Sequence, residues 1–188
     1  MVSQSRLPPG QRLVSQLEVL HLGSIPRFDT AKWDFRVFGM VEKPLQFNWE
    51  EFRALPQTTV TADFHCVTGW TRFDCQWQGV AFKTIVEMAM PRAGAAYVMV
   101  HADNDYTTNV RLDDLMAEDV VLALEMDGHP LKPHHGGPLR LVVPKKYAYK
   151  SAKWLRGIEL MPEDRPGFWE SRGYSSSADP WTEDRFSR

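Results

Sequence analysis

A thiol at the junction of a strand and a glycine-bearing loop suits a soft or high-valent metal, because reactive side chains are usually presented at strand ends. Cys66 has such a setting in Asp63-Phe64-His65-Cys66-Val67-Thr68-Gly69-Trp70. His65 and Arg72 lie close to it in sequence, and positive charge nearby favours a thiolate. Taken alone, a cysteine is just as readily a small buried hydrophobe. Cys75, in Phe73-Asp74-Cys75-Gln76-Trp77, reads as structural or incidental.

The densest polar cluster is His134-His135-Gly136-Gly137-Pro138-Leu139-Arg140, followed by Lys145, Lys146, Lys150, Ser151 and Lys153. Two glycines let a backbone approach a ligand closely, and basic and hydroxyl groups around them suit a phosphate or another oxyanion. A solvated basic face beside a core strand is the plainer alternative. Neither G-x-G-x-x-G nor G-x-x-x-x-G-K-[ST] occurs, which removes the ordinary nucleotide loops. Cys66 and Cys75 are nine apart and His134 and His135 adjacent, so neither of these pairs has the spacing of a structural zinc site. No G-x-S-x-G elbow is present.

These residues need elements to position them. Trp33, Phe35 and Val37 alternate with polar neighbours and predict a strand ending near Gly39. Asn48 with Glu51 forms a capping-box start for a short helix that Pro56 stops. Thr58–Cys66 reads as a strand with Val60, Ala62, Phe64 and Cys66 on one face and Thr61, Asp63 and His65 on the other. Phe82, Ile85, Val86 and Ala89 carry a helical stripe. Tyr97–Ala102, Val120–Met126, Leu139–Val143 and Trp154–Leu160 read as further strands, with a helical turn at Leu112–Met116. From Pro166 the chain is aperiodic but rich in aromatics, which predicts irregular, packed structure. The expected class is α+β, mixed sheets with short helices: a lead-in over residues 1–30, then a single domain over 31–188.

Composition narrows the function. The 188 residues are 43% hydrophobic, with seven Trp and ten Phe, enough for a large core. Lys and Arg number 22 against 24 Asp and Glu, without a basic run, so a nucleic-acid surface is not expected. No apolar stretch is long enough to span a membrane. The opening residues resemble no secretory signal, and two cysteines make no disulfide framework. Cytoplasmic residence is the expectation, or periplasmic residence where a signal has been removed.

Five strings occur in one order: "FGMVEKPL", "TADFHCVTGW", "WQGV", "GGPLRLVVPKKYAYKSAKWLRGIEL" and "GFWESRGY" with "DPW". On these, the chain resembles the molybdopterin-binding oxidoreductase domain of the sulfite-oxidase superfamily. That group includes sulfite oxidases, plant-type nitrate reductases and the catalytic subunit of bacterial periplasmic methionine-sulfoxide reductase. The resemblance runs from about Val37 to the C-terminus. It implies the sulfite-oxidase-type fold and a molybdenum–molybdopterin cofactor whose metal is bound by Cys66. It also implies that His135, Arg140, Ser151 and Lys153 hold the pterin and its phosphate. His101 is then expected to line the pocket, and His21 to lie in a segment that covers it.

The implied activity is two-electron oxygen-atom transfer on a small oxyanion or sulfoxide, with His65, Arg72 and His101 steering substrate. With no haem or iron–sulfur motif of its own, the chain would exchange electrons with a separate carrier protein, for instance a haem protein. The cysteine loop lacks the arginine of animal and plant sulfite oxidases, which speaks against sulfite. The opposing expectation is a non-catalytic binding module that keeps the fold.

Overall fold

The computed structural model describes residues 6–187, and the elements within them are arranged as two sheets that share a core. The longest strand, β5 (Trp70–Ala81), is the axis of the first sheet. Along one edge it pairs antiparallel with β4 (Thr58–Cys66). Its other edge takes β1 (Arg12–Leu13) in parallel at Trp70–Thr71 and β8 (Val121–Met126) antiparallel at Trp77–Ala81. Beyond β8 lie β9 (His129–Pro130) and β10 (Arg140–Val142). The second sheet runs β3 (Leu45–Asn48), β2 (Asp34–Gly39), β11 (Leu155–Met161), β6 (Tyr97–Ala102) and β7 (Thr107–Arg111).

Alternation drives the packing. Phe35 and Val37 of β2, Val98 and Val100 of β6, and Ile158 and Leu160 of β11 meet Val80, Leu122 and Leu141 of the first sheet. The helix α2 (Phe82–Ala89) inserts Phe82, Ile85 and Val86 into this core, each about 1.5–3 kcal/mol of transfer free energy. The short helix α1 (Trp49–Arg53) starts on the expected capping box: Glu51 N donates to Asn48 Oδ1 at 2.9 Å and Asn48 N to Glu51 Oε2 at 2.8 Å. The helical turn α3 (Leu112–Leu115) completes the set. Among the described residues no helix is long and apolar enough to cross a membrane.

A second, smaller core covers the opposite face of the first sheet, with Leu17, Phe64, Cys66, Trp70, Cys75 and Trp77. Cys66 therefore sits at the edge of a hydrophobic layer, where the β4 strand ends. Three strands of four or more residues lie where the periodicity signalled none, β3, β5 and β7, as do the two-residue β1 and β9. The lead-in is also more than a lead-in, because it supplies β1 and buries Leu17 in the second core.

Candidate active site

Residues 17–22, the Cys66 loop, the 3₁₀ turn at Ala148–Lys150 and the segment carrying Trp169 and Tyr174 enclose a cavity of about 430 Å³. Cys66, His135, Arg140, Ser151 and Lys153 all line it, and so does His21. The sequence cluster and the thiol, 74 residues apart from Cys66 to Arg140, thus open into one space.

Local structure explains the convergence. Gly69 adopts φ +101° in the three-residue link between β4 and β5, so the chain reverses immediately after Cys66. Thr68 Oγ1 donates to Cys66 Sγ at 3.1 Å, and Gln11 Nε2 donates to the Cys66 carbonyl at 3.2 Å. On the facing side, Gly136 at φ +104° follows the Pro133–His135 turn. A Cβ on Gly136 would come within 2.9 Å of Lys153 Cβ and 3.1 Å of Arg140 Cβ, so only glycine lets these two basic side chains close on the loop.

The electrostatics are those of an anion site. Arg140 is 3% exposed, and its guanidinium donates to the carbonyls of His135 and Ser151, both at 2.8 Å. Its Nε has no partner, and it lies over the rings of Phe64 and Trp77. Lys153 Nζ donates to the carbonyls of Leu20 and His134, both at 2.7 Å. Among the described residues neither cation pairs with a carboxylate. Burial lowers Arg140 to about 10 and, with the help of Arg140, lowers Lys153 to about 7. His135 falls to about 4, through burial first and then His134, Lys153 and Arg140. Burial also pushes the Cys66 thiol up, against the pull of Thr68 and Lys153.

These features fit a phosphorylated, sulfur-bearing cofactor. Two desolvated cations without counter-charge and an orphaned guanidinium Nε call for an anion. Ser151 Oγ accepts from Val143 N at 2.9 Å, which leaves its own proton for a cavity acceptor. A metal in place of the Cys66 proton removes the cost of a buried thiolate.

The family model of the oxidoreductase molybdopterin-binding domain matches residues 22–169. The chain belongs to that family. It is an oxidoreductase, and this molybdopterin-binding domain is 46% identical over 182 residues to the oxidoreductase YuiH of Bacillus subtilis, covering 96% of this chain and 92% of the relative. It is 32% identical over 161 residues to the protein-methionine-sulfoxide reductase catalytic subunit MsrP of Campylobacter jejuni, covering 77% of this chain and 54% of MsrP. The chain thus spans about half the length of that relative. Among solved structures, the sulfane dehydrogenase SoxCD of Paracoccus pantotrophus superposes with a TM-score of 0.69 at 21% identity, over 79% of this chain and 42% of the other. The fold is the sulfite-oxidase type.

Three expected site residues stand elsewhere. His65 leaves β4 on the face opposite Cys66, where Nδ1 is 2.9 Å from Thr71 Oγ1 and the ring meets Trp181. Arg72 Nη2 donates to Asp127 Oδ2 at 2.5 Å, and Nη1 approaches Met126 Sδ. His101 Nε2 lies 3.0 Å from Glu159 Oε2 with Phe38 against its ring. None of the three lines the cavity, so the substrate-steering roles expected of them are not retained. The cavity instead holds Trp70, Tyr106, Tyr149, Trp169 and Tyr174, which sequence reasoning did not single out. For Trp70 a signal existed: Cys66-Val67-Thr68-Gly69-Trp70 reads as a three-residue hairpin with glycine at the left-handed position, which sets Trp70 opposite Cys66.

Proposed function

We propose that the chain binds a molybdenum–molybdopterin cofactor, with Cys66 Sγ on the metal, and carries out two-electron oxygen-atom transfer on a sulfoxide or small oxyanion. The observation that carries this reading is the shared cavity: a buried thiol, the buried Arg140 and the half-buried Lys153, neither cation paired with a carboxylate, line one space of cofactor size. Arg140, Lys153, His135 and Ser151 would hold the pterin and its phosphate, Arg140 by a planar fork of donors and Lys153 as a compact charge. When bound, the metal centre supplies two-electron redox chemistry coupled to gain or loss of an oxygen atom.

The chain's own residues do the rest. Thr68 and Gln11 fix the Cys66 sulfur and carbonyl. Leu17, Leu20 and Leu22 supply an apolar wall to the cavity. Reduction of a sulfoxide consumes two electrons and two protons and releases water with the sulfide. A separate carrier protein, such as a haem protein, would exchange the electrons, since with Cys66 on the metal a single cysteine remains, too few for an iron–sulfur cluster.

Of the two substrate classes, the sulfoxide is favoured. Arg72 is turned to Asp127, Arg140 and Lys153 would be engaged by the cofactor phosphate, and the remaining lining is mostly aliphatic and aromatic, with Glu18 and Asp103 as its acidic members. A neutral substrate with an apolar body suits that lining better than an oxyanion does. MsrP, a relative of this chain, is named as a methionine-sulfoxide reductase, which supports the same class.

Elemental analysis tests the reading, on protein made in a host that synthesises the cofactor. Stoichiometric molybdenum that disappears in Cys66→Ser is the expected result. Zinc, or no metal, would overturn it.

A further inference from the structure

Cys66 and Trp70 are direct partners across β4 and β5. Cross-strand partners leave a sheet on the same face, with Cβ atoms about 4.5–5.5 Å apart. Both residues line the cavity. Trp70 is 2% exposed, and its indole Nε1 has no hydrogen-bond partner.

An indole N–H is a donor only, and a buried tryptophan normally finds an acceptor for it. The same cavity supplies the contrast, because Trp154 lines it too and its Nε1 donates to the Pro133 carbonyl at 2.8 Å. Trp77 is a second buried indole without an acceptor, but it does not line the cavity. Trp70 thus combines three properties found together at no other tryptophan of the described chain: it is buried, it faces the cavity beside the thiol, and its donor is uncommitted.

We infer that Trp70 is a ligand-binding residue whose indole N–H donates to an oxygen acceptor seated beside Cys66. The acceptor is an oxygen bearing lone pairs, carried by the bound cofactor or by the substrate's oxygen. The inference rests on the proposed cofactor reading. An uncharged donor at this place strengthens binding of an oxygen without adding charge to a site that already holds two desolvated cations.

The test uses the full chain in its cofactor-free form, loaded with molybdenum–molybdopterin, and dimethyl sulfoxide as the substrate probe. Trp70→Phe keeps an aromatic ring and removes the N–H. Replacing Trp70 with 3-benzothienylalanine keeps the bicyclic shape and removes the same proton, which covers a folding defect of the phenylalanine variant. Trp33→Phe, at a buried tryptophan that does not line the cavity, is the control. The expected result at position 70 is cofactor affinity about three- to tenfold weaker, read from the cofactor-induced rise in melting temperature. Should cofactor affinity hold while KM for dimethyl sulfoxide rises by a similar factor, the inference stands with the substrate as the acceptor. Trp33→Phe is expected to shift the melting temperatures of both forms equally and to leave affinity alone.

Both replacements at position 70 within about twofold of the parent in cofactor affinity and in KM would overturn the inference. Failure of the parent chain itself to gain stability from the cofactor would overturn the cofactor reading and this inference with it, and the two failures are told apart by that parent measurement.

Discussion

Lys153 Nζ lies 2.7 Å from the carbonyl oxygen of Leu20, so a side chain lining the anion site also holds the segment that walls it. The same segment is gripped at its other end by Asn104, whose Nδ2 donates to the carbonyls of Leu22 and Ser24 at 3.0 and 2.9 Å. Closure of the cavity and charge at its base therefore share a residue.

Lys153 couples anion binding to pH. Its value near 7 lies below the ordinary lysine range of about 10.4, so the anion-free folded chain binds fewer protons than the unfolded chain between those limits. Stability conferred through Lys153 thus rises as pH increases from 7 towards about 10.4, and the cost of its burial is fully present below pH 7. His135, at about 4 against an ordinary 6.5, gives a second rise between pH 4 and 6.5. Sulfate keeps its charge over this range, so its binding to the cofactor-free chain is expected to weaken as pH rises through 7. Calorimetry in buffers of different ionisation enthalpy should show proton uptake on binding, and Lys153→Met should abolish both effects.

Arg140→Lys retains the charge and loses the planar fork. Cofactor affinity should fall about 10- to 100-fold, the equivalent of one charge-assisted hydrogen bond of about 1.5–3 kcal/mol. Equilibrium loading measured by molybdenum content reads this directly; affinity equal to that of the parent chain would show that Arg140 takes no part in holding the phosphate.

Asn104→Asp keeps the side-chain shape at a left-handed position, φ +61°, and removes both donors to the wall segment. Tryptic cleavage after Arg27 is expected to accelerate several-fold, with the core's melting transition little changed, because residues 20–24 carry no strand pairing of their own. Asn104→Gly, which accepts the same backbone, serves as the control for strain and should cleave at a similar rate.

The ion pair of Lys150 and Glu170 is wholly buried, with Nζ 2.5 Å from Oε1, and Thr108 Oγ1 also donates to that carboxylate oxygen at 2.6 Å. Lys150→Met leaves the carboxylate buried without its counter-charge and should cost about 3–5 kcal/mol in urea denaturation. Lys150→Met combined with Glu170→Leu should recover much of that loss.

Much of the fold can be read in the sequence where one physical rule acts alone. The capping box of Asn48 and Glu51, the stripe of α2 and the alternation of β4 are local patterns, and each matches an element. Strand β5 escaped because its alternation breaks: Asp74 takes φ +52° where the pairing of β4 with β5 shifts register, so residues 70–72 and 75–77 do not form one periodic run. Strand β7 escaped because two of its three buried residues are polar. Thr108 and Asn109 are buried and satisfied by Glu170, Asp164 and Ser176, partners more than 50 residues away. The candidate site divides along the same line. Cys66, Arg140, Ser151 and Lys153 are chemistry-bearing types within recognisable strings; Trp169 and Tyr174 lie in one too, "GFWESRGY", but nothing local marks them as cavity residues, and Tyr106 lies in none.

The chamber has consequences for how the protein is made. One wall comes from residues 17–22 and another from Trp169 and Tyr174, near opposite ends of the chain. A nascent polypeptide synthesised only as far as Met161 can already pair every strand, yet it cannot enclose a guest. A guest held by both walls can therefore be enclosed only after translation has passed residue 174.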